Sequence, residues 1–322
     1  MIYLLIAALE VSALLLAIHA VLNSRTSQGA LAWLLSLVTM PFLAVPAYLV
    51  FGRRKFTGMV EAYAQRQDEI DTLREEIRSE LTPWHAELGP RRDMHDAMHR
   101  LVGTRLTRAN HAELLIDGEQ TFDSIIDGIT RAQSYVLVQF YMFHDDGLGQ
   151  RLQRTLISMA VSGVRVYVLY DEVGSLGLPP HYVSALRGAG AEVSAFRPTR
   201  GFKNRFQLNF RNHRKMVVVD GASGWLGGHN VGDEYLGLDP KLSPWRDTHV
   251  KLEGPSVIQM QSVILADWYW ATRELPQLNW HPQPARAGEM RAMIMPFSPE
   301  SRLESAGLFF VAALQSARRR IW

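Results

Sequence analysis

The stretch 209–235, NFRNHRKMVVVDGASGWLGGHNVGDEY, concentrates the side chains best suited to chemistry. It contains His213-x-Lys215-x4-Asp220, followed by Gly227-Gly228-x-Asn230. Residues two apart along a strand share a face, so His213 and Lys215 are expected to point the same way. If residues 221–224 form a hairpin turn, Asp220 pairs with Trp225 and Lys215 with Asn230, and cross-strand partners share a face. Val217 then faces Gly228, and His213 faces Gly232. One surface would carry an imidazole, an ammonium and a carboxamide, with glycines clearing the floor around Asn230. A neutral nucleophile beside a fixed cation and an amide donor suits a phosphate ester. Lys215, Asn230 and the open position at Gly228 would receive the phosphate while His213 attacks phosphorus. By this count Asp220 falls on the opposite face and braces the turn. Taken alone, His213 also reads as a satisfied core histidine; the cluster around it argues for chemistry. A second start, His249-x-Lys251, fails because Ser256 stands where an aspartate is needed.

The elements around this stretch follow from apolar periodicity. Residues 114–117, 134–143, 164–171 and 191–196 read as strands, and 150–163 and 180–190 as helices. Residues 216–220 and 224–228 read as a hairpin in the same sheet. Strands alternating with helices predict an α/β fold whose mixed, mostly parallel sheet is flanked by helices. Upstream, residues 56–110 are polar and helical in pattern. Ile70, Leu73, Ile77 and Leu81 form a narrow stripe. Such a helix could lie on a bilayer, pack on the body or stand as a solvated connector. Pro83 and Gly89-Pro90 punctuate it.

The chain has 322 residues, a formal charge of +2 and no cysteine. The balanced charge weighs against nucleic acid as a partner held by bulk charge. The missing cysteines exclude disulfides, thiol nucleophiles and Cys-based metal centres. No acidic or histidine cluster shows ligand spacing, so neither a metal nor a cofactor is expected, and the cationic role falls to Lys215.

Much of the apolar content lies at the start. Residues 2–22 are apolar except for Glu10, Ser12 and His19, and 30–51 carry no charge. Each is close to the ~20 residues that span a bilayer as a helix, so together they read as a transmembrane hairpin. A cleaved signal peptide or a buried soluble hairpin are the other readings of such segments. Arg25 lies in the connection, whereas Arg53, Arg54 and Lys55 follow the second segment. This bias predicts a multi-pass protein with the amino terminus and the body on the cytoplasmic side.

The residues HRKMVVVDGASGWLGGHN resemble the HKD motif of the phospholipase D superfamily. The segments GHNVGDEYLG, PWRDTHVKLEGPSV, FYMFHDD, LYDEVGS and the double span ending FGRRKF are similar to bacterial cardiolipin synthases, over essentially the whole chain. The resemblance implies a phospholipase D-like fold in a bacterial inner membrane and a phosphohistidine formed on His213. It implies phosphate binding by Lys215 and Asn230, and an Asp247 carboxylate that orients the histidine. The expected substrate is phosphatidylglycerol in the bilayer, two molecules giving cardiolipin and glycerol. Hydrolysis of a phospholipid or nucleic acid by the same groups, or an inactive membrane-anchored half-enzyme, are the alternative readings.

The expected domains are a hairpin (1–55), a helical linker (56–110), a first HKD half-domain (111–285) and the start of a second (286–322). Residues 125–137 and 310–322 align at a constant offset of 185. A second HKD histidine would then fall near position 398, which predicts a truncated chain. The other way to complete the site is a homodimer that pairs two motifs.

Overall fold

The computed structural model describes residues 2–24, 27–52, 66–87, 92–196, 212–297 and 305–321. The first apolar run forms one helix, α1 (Ile2–Asn23), and its stretch Ile6–Asn23 is long and apolar enough to cross a membrane. The second run does not form one spanning helix. It divides into α2 (Ser27–Thr39) and α3 (Pro41–Phe51) at Met40, whose backbone leaves the helical region (φ −135°, ψ 56°). Proline has no amide hydrogen and disfavours helical geometry in the residue before it, while being well suited to start a helix. Pro41 therefore ends one helix and begins the next. Ala13, Ala17 and Ala20 of α1 pack against Leu37, Ala44, Val45 and Tyr48. His19 and Tyr48 meet at 2.8 Å. The remaining face of α1 exposes Leu4, Val11, Leu14, Leu15 and Ile18. Arg25 and residues 53–55, which carry the orientation signal, lie outside the described residues.

The linker supplies α4 (Gln67–Leu81), a short turn at Thr82–Trp84 and α5 (Arg92–Val102). Of the placements open to the amphipathic helix, it takes the body: Leu73, Ile77 and Leu81 pack with Ile258, Leu265 and Trp280. The linker ends earlier than expected, because β1 (Thr107–Ile116) begins within it. Its buried positions include Thr107 and Asn110, which satisfy each other and nearby backbone, so no apolar alternation announces the strand.

Beyond β1 come α6 (Asp117–Thr130), β2 (Tyr135–Phe140), α7 (Gly147–Val161), β3 (Arg165–Asp171), α8 (Pro180–Gly188) and β4 (Glu192–Phe196). Then follow β5 (Met216–Val219), β6 (Ser223–Gly227), β7 (Thr248–Glu253), α9 (Ser256–Thr272), β8 (Met290–Ala292) and α10 (Ser305–Gln315). The sheet order is β4-β3-β2-β5-β6-β7-β1-β8. The mixed α/β sheet flanked by helices is present, but it is not mostly parallel. Only β2–β3 and β3–β4 are parallel; the other neighbours run antiparallel. Helical crossovers enforce parallel pairing only in the α7 and α8 units, and β5, β6 and β7 connect without an α-helix.

Alternation along β2 sorts the two cores. Val136, Val138 and Phe140 meet Phe122, Ile125 and Leu152 on the α6–α7 side. Tyr135 and Leu137 meet Val257, Met260 and Ile264 on the α9 side. α9 is buried on nearly all faces, between the sheet and α4. An all-round apolar helix has no polar face to give it a sequence period. α6 ends at Thr130 and α10 at Gln315, 185 residues apart.

Candidate active site

The β5–β6 hairpin closes with a three-residue turn, not the expected four. Met216 pairs with Leu226, Val217 with Trp225, Val218 with Gly224 and Val219 with Ser223. Asp220 and Gly221 take positive φ (53° and 68°), and the Ala222 amide donates to the Val219 carbonyl. Ser223 and Gly224, assigned to the turn from sequence, belong to β6. The register therefore differs by three residues from the expected one. Val217 faces Trp225 instead of Gly228, and β6 ends at Gly227, before Asn230 is reached. An odd shift moves cross-strand partners to the other face.

The facing of His213 and Lys215 does not depend on that register. Lys215 Nζ lies 3.0 Å from His213 Nδ1 and donates to the His213 carbonyl at 2.8 Å. The Tyr141 ring, just past the end of β2, packs at a tilt with its centre 4.5 Å from that of the His213 ring and 5.4 Å from Lys215 Nζ. Below them, even-numbered residues turn to the α9 side. Asp267 accepts from Asn212 Nδ2 at 2.9 Å, Arg214 at 2.5 Å and Gln139 Nε2 at 2.6 Å. Asp171, buried at the end of β3, accepts from the Asn212 amide at 3.0 Å. The neighbours of His213 are thus fastened underneath, while its own side chain remains exposed.

Asn230 arrives by another route. After β6 the chain runs beside residues 142–144: the Val231 amide donates to Met142 and the His144 amide to Val231. Asn230 Oδ1 accepts from the Met142 amide at 3.2 Å, and its Nδ2 donates to the Tyr235 hydroxyl at 2.6 Å. Tyr141 packs on His213 and the next residue, Met142, holds Asn230, so adjacent residues just past β2 contact both.

Asp247 contacts the Thr248 amide and Gly228. Among the described residues, His213 Nδ1 meets Lys215, and Asp247 makes no hydrogen bond to the ring. Its Oδ1 accepts from the Thr248 amide at 2.7 Å. Its carboxylate lies against Gly228, where a Cβ would sit 2.1 Å from Oδ1. Gly228 thus leaves room for Asp247. Asp220 lies at the far end of β5 from His213 and accepts the amides of Gln133, Ser134 and Tyr135 at 2.7–2.8 Å.

Electrostatics sets the charge states. Burial lowers Lys215 to about 8, opposed by the negative charge of Asp247. Partial desolvation of the otherwise exposed ring and the Lys215 charge hold His213 below its ordinary value, opposed by Asp171. At neutral pH the imidazole is neutral and the amine mostly charged. Below the rim, His229 and His249 are buried with their Nδ1 atoms 2.9 Å apart. Burial and His229 push His249 down to about 3, so both rings are kept neutral.

Sequence reasoning missed Tyr141, Asp171, Asn212 and Asp267. The partners named above lie 41 to 128 positions away in the chain, and no short motif contains both ends.

Two family profiles match the chain. Residues 125–242 match the family described as cardiolipin synthase, PLD-like domain, and residues 11–53 match the phospholipase D-nuclease N-terminal family. Cardiolipin synthase A of Pseudomonas entomophila (strain L48) is 45% identical over 323 residues, covering 99% of this chain and 67% of that protein. Cardiolipin synthase A of Pseudomonas aeruginosa (strain LESB58) is 44% identical over 324 residues, 99% of this chain and 66% of that one. Among solved structures, NucT from Helicobacter pylori matches at 16% identity and a TM-score of 0.39, covering 50% of this chain and 98% of its own.

Proposed function

The chain belongs to the cardiolipin synthase family of phospholipase D-like proteins, and we propose that it is a membrane-bound phosphatidyltransferase that makes cardiolipin from two phosphatidylglycerol molecules. The observation that carries the reading is the 3.0 Å contact between the Lys215 ammonium and the His213 imidazole. When a phosphate oxygen takes over the hydrogen bond from Lys215, the ring lone pair is released beside the phosphorus. His213 attacks, a nitrogen–phosphorus bond forms, and the bond from phosphorus to the glycerol oxygen breaks. Lys215 and Asn230 stabilise the charge gathering on the non-bridging oxygens. The departing glycerol oxygen takes up a proton. The terminal hydroxyl of a second phosphatidylglycerol then attacks, loses its proton, and returns His213 to its free form. Tyr141 fixes the ring plane, and Asp247 helps keep Lys215 charged.

The proton donor for the departing glycerol is assigned to a second histidine of the same kind, supplied by a further half-domain or a partner copy. The domain reading is hairpin, linker, first HKD half-domain and the start of a second. The location read here is the bacterial inner membrane, with the amino terminus and the catalytic body cytoplasmic. The apolar α1 supports attachment, and the bases at 53–55 support the orientation.

The test is a product assay. Purified protein in phosphatidylglycerol vesicles is expected to release glycerol and cardiolipin in equal amounts, and His213→Ala to lose both. Phosphatidic acid as the sole product would mean that water is the acceptor. Turnover that survives His213→Ala would remove the proposed nucleophile.

A further inference from the structure

Outside the His213 site, one cluster has the makings of a ligand site. His144, just beyond β2, Asp146 at the start of α7 and Glu234 in the short helical turn Asp233–Leu236 each bring one donor atom into a common space. These atoms all lie within 4.8 Å of one another. His144 Nδ1 is 3.4 Å from Glu234 and 3.9 Å from Asp146. A cation about 2.1 Å from each donor would separate the donors by roughly 3–3.5 Å, so small side-chain adjustments suffice.

The carboxylates differ in how they are satisfied. Asp233 accepts the Gly147 and Leu148 amides, and Asp146 accepts those of Gly149 and Asp233. The start of α7 accounts for both. Glu234 is only 7% exposed, its carboxylate has no hydrogen bond among the described residues, and its oxygens lie against Gly232. A buried carboxylate beside a second carboxylate, faced by the His144 ring at 3.4 Å, is a place where a bound cation would supply the compensating charge. The amides on Asp146 still leave each of its oxygens a lone pair, and they already fix its direction, as outer-shell partners of metal ligands do.

We propose that His144, Asp146 and Glu234 bind one divalent cation of borderline hardness, such as Mn2+ or Zn2+, which clamps the loop carrying Asn230. One nitrogen and two carboxylate oxygens suit such ions better than Ca2+. The clamp follows from connectivity. Residues 142–144 pair with 230–231, and Met142 holds the Asn230 carboxamide. A cation bridging 144 and 146 to 234 ties the far end of that pairing, outside the phosphate-binding face. The inference does not depend on the identity of the lipid substrate.

The test uses the full chain in detergent micelles, stripped with chelator and titrated with Mn2+ or Zn2+ alone. Bound Mn2+ is read by electron paramagnetic resonance, and stability by thermal melting. One ion per chain is expected, with Tm rising on binding. His144→Ala and Glu234→Gln should each weaken binding at least tenfold, while Asp71→Asn on α4 should not. If Glu234→Gln fails to fold, the half-exposed His144→Ala decides alone. No binding to the wild type, or binding unchanged in His144→Ala, overturns the proposal.

Discussion

Asp267 of α9 grips Arg214 at 2.5 Å, and Arg214 is the residue between His213 and Lys215. The same carboxylate holds Asn212, on the other side of His213. One buried acid therefore holds the backbone on both sides of His213, the proposed nucleophile. Asp267→Asn is expected to lower kcat about 10–100-fold with little change in KM, since a misplaced nucleophile costs rate more than binding. Stability should fall by about 2–4 kcal/mol, for a largely buried ion pair with one partner removed. Urea unfolding and steady-state kinetics measure both. An unchanged kcat in a destabilised protein would leave Asp267 with a packing role only.

The pH dependence follows from the productive state, with His213 neutral and Lys215 charged. His213 titrates below its ordinary value and Lys215 at about 8. Activity should rise as pH passes upward through the His213 range and fall as it passes through about 8. The profile of kcat/KM reports these free-enzyme values. In Lys215→Arg the guanidinium stays charged, so the alkaline fall should disappear below pH ~10 even though the rate is lower.

Asp247 has a separable signature. Its charge opposes the lowering of the Lys215 pKa, and it makes no hydrogen bond to His213. In Asp247→Asn the alkaline limb should move to lower pH while the acidic limb, set by His213, stays in place. A shift confined to the acidic limb would mean that Asp247 acts on the histidine instead.

Asp220 binds three consecutive amides at the start of β2, far from the phosphate-binding groups. Asp220→Ala leaves those donors without their charged acceptor. It should cost about 2–4 kcal/mol, taking charge-assisted bonds at ~1.5–3 kcal/mol each and allowing for water at the turn. Denaturant midpoints measure the loss. KM for phosphatidylglycerol in the folded fraction should not change.

The sequence by itself determined whatever depends on local period and composition. The two-residue repeat of a strand put His213 and Lys215 on one face, whichever register the hairpin took. Unbroken apolar length gave α1, and alternating patterns gave β2, α7, β3, α8 and β4 within a few residues of their observed bounds. Tertiary structure decided what depends on which distant segments meet. Residues 221–224 read as a four-residue turn, but Gly224 lies in β6 against Met260 and the register differs by three. The sense of the sheet, the contact of Asp247 with Gly228, and the grip of Asp267 on Arg214 all join residues far apart in the chain. So does the meeting of Glu234 with His144 and Asp146, whose spacing showed no ligand pattern. Such contacts are selected by the closure of whole loops onto a shared core, and no local period records that choice.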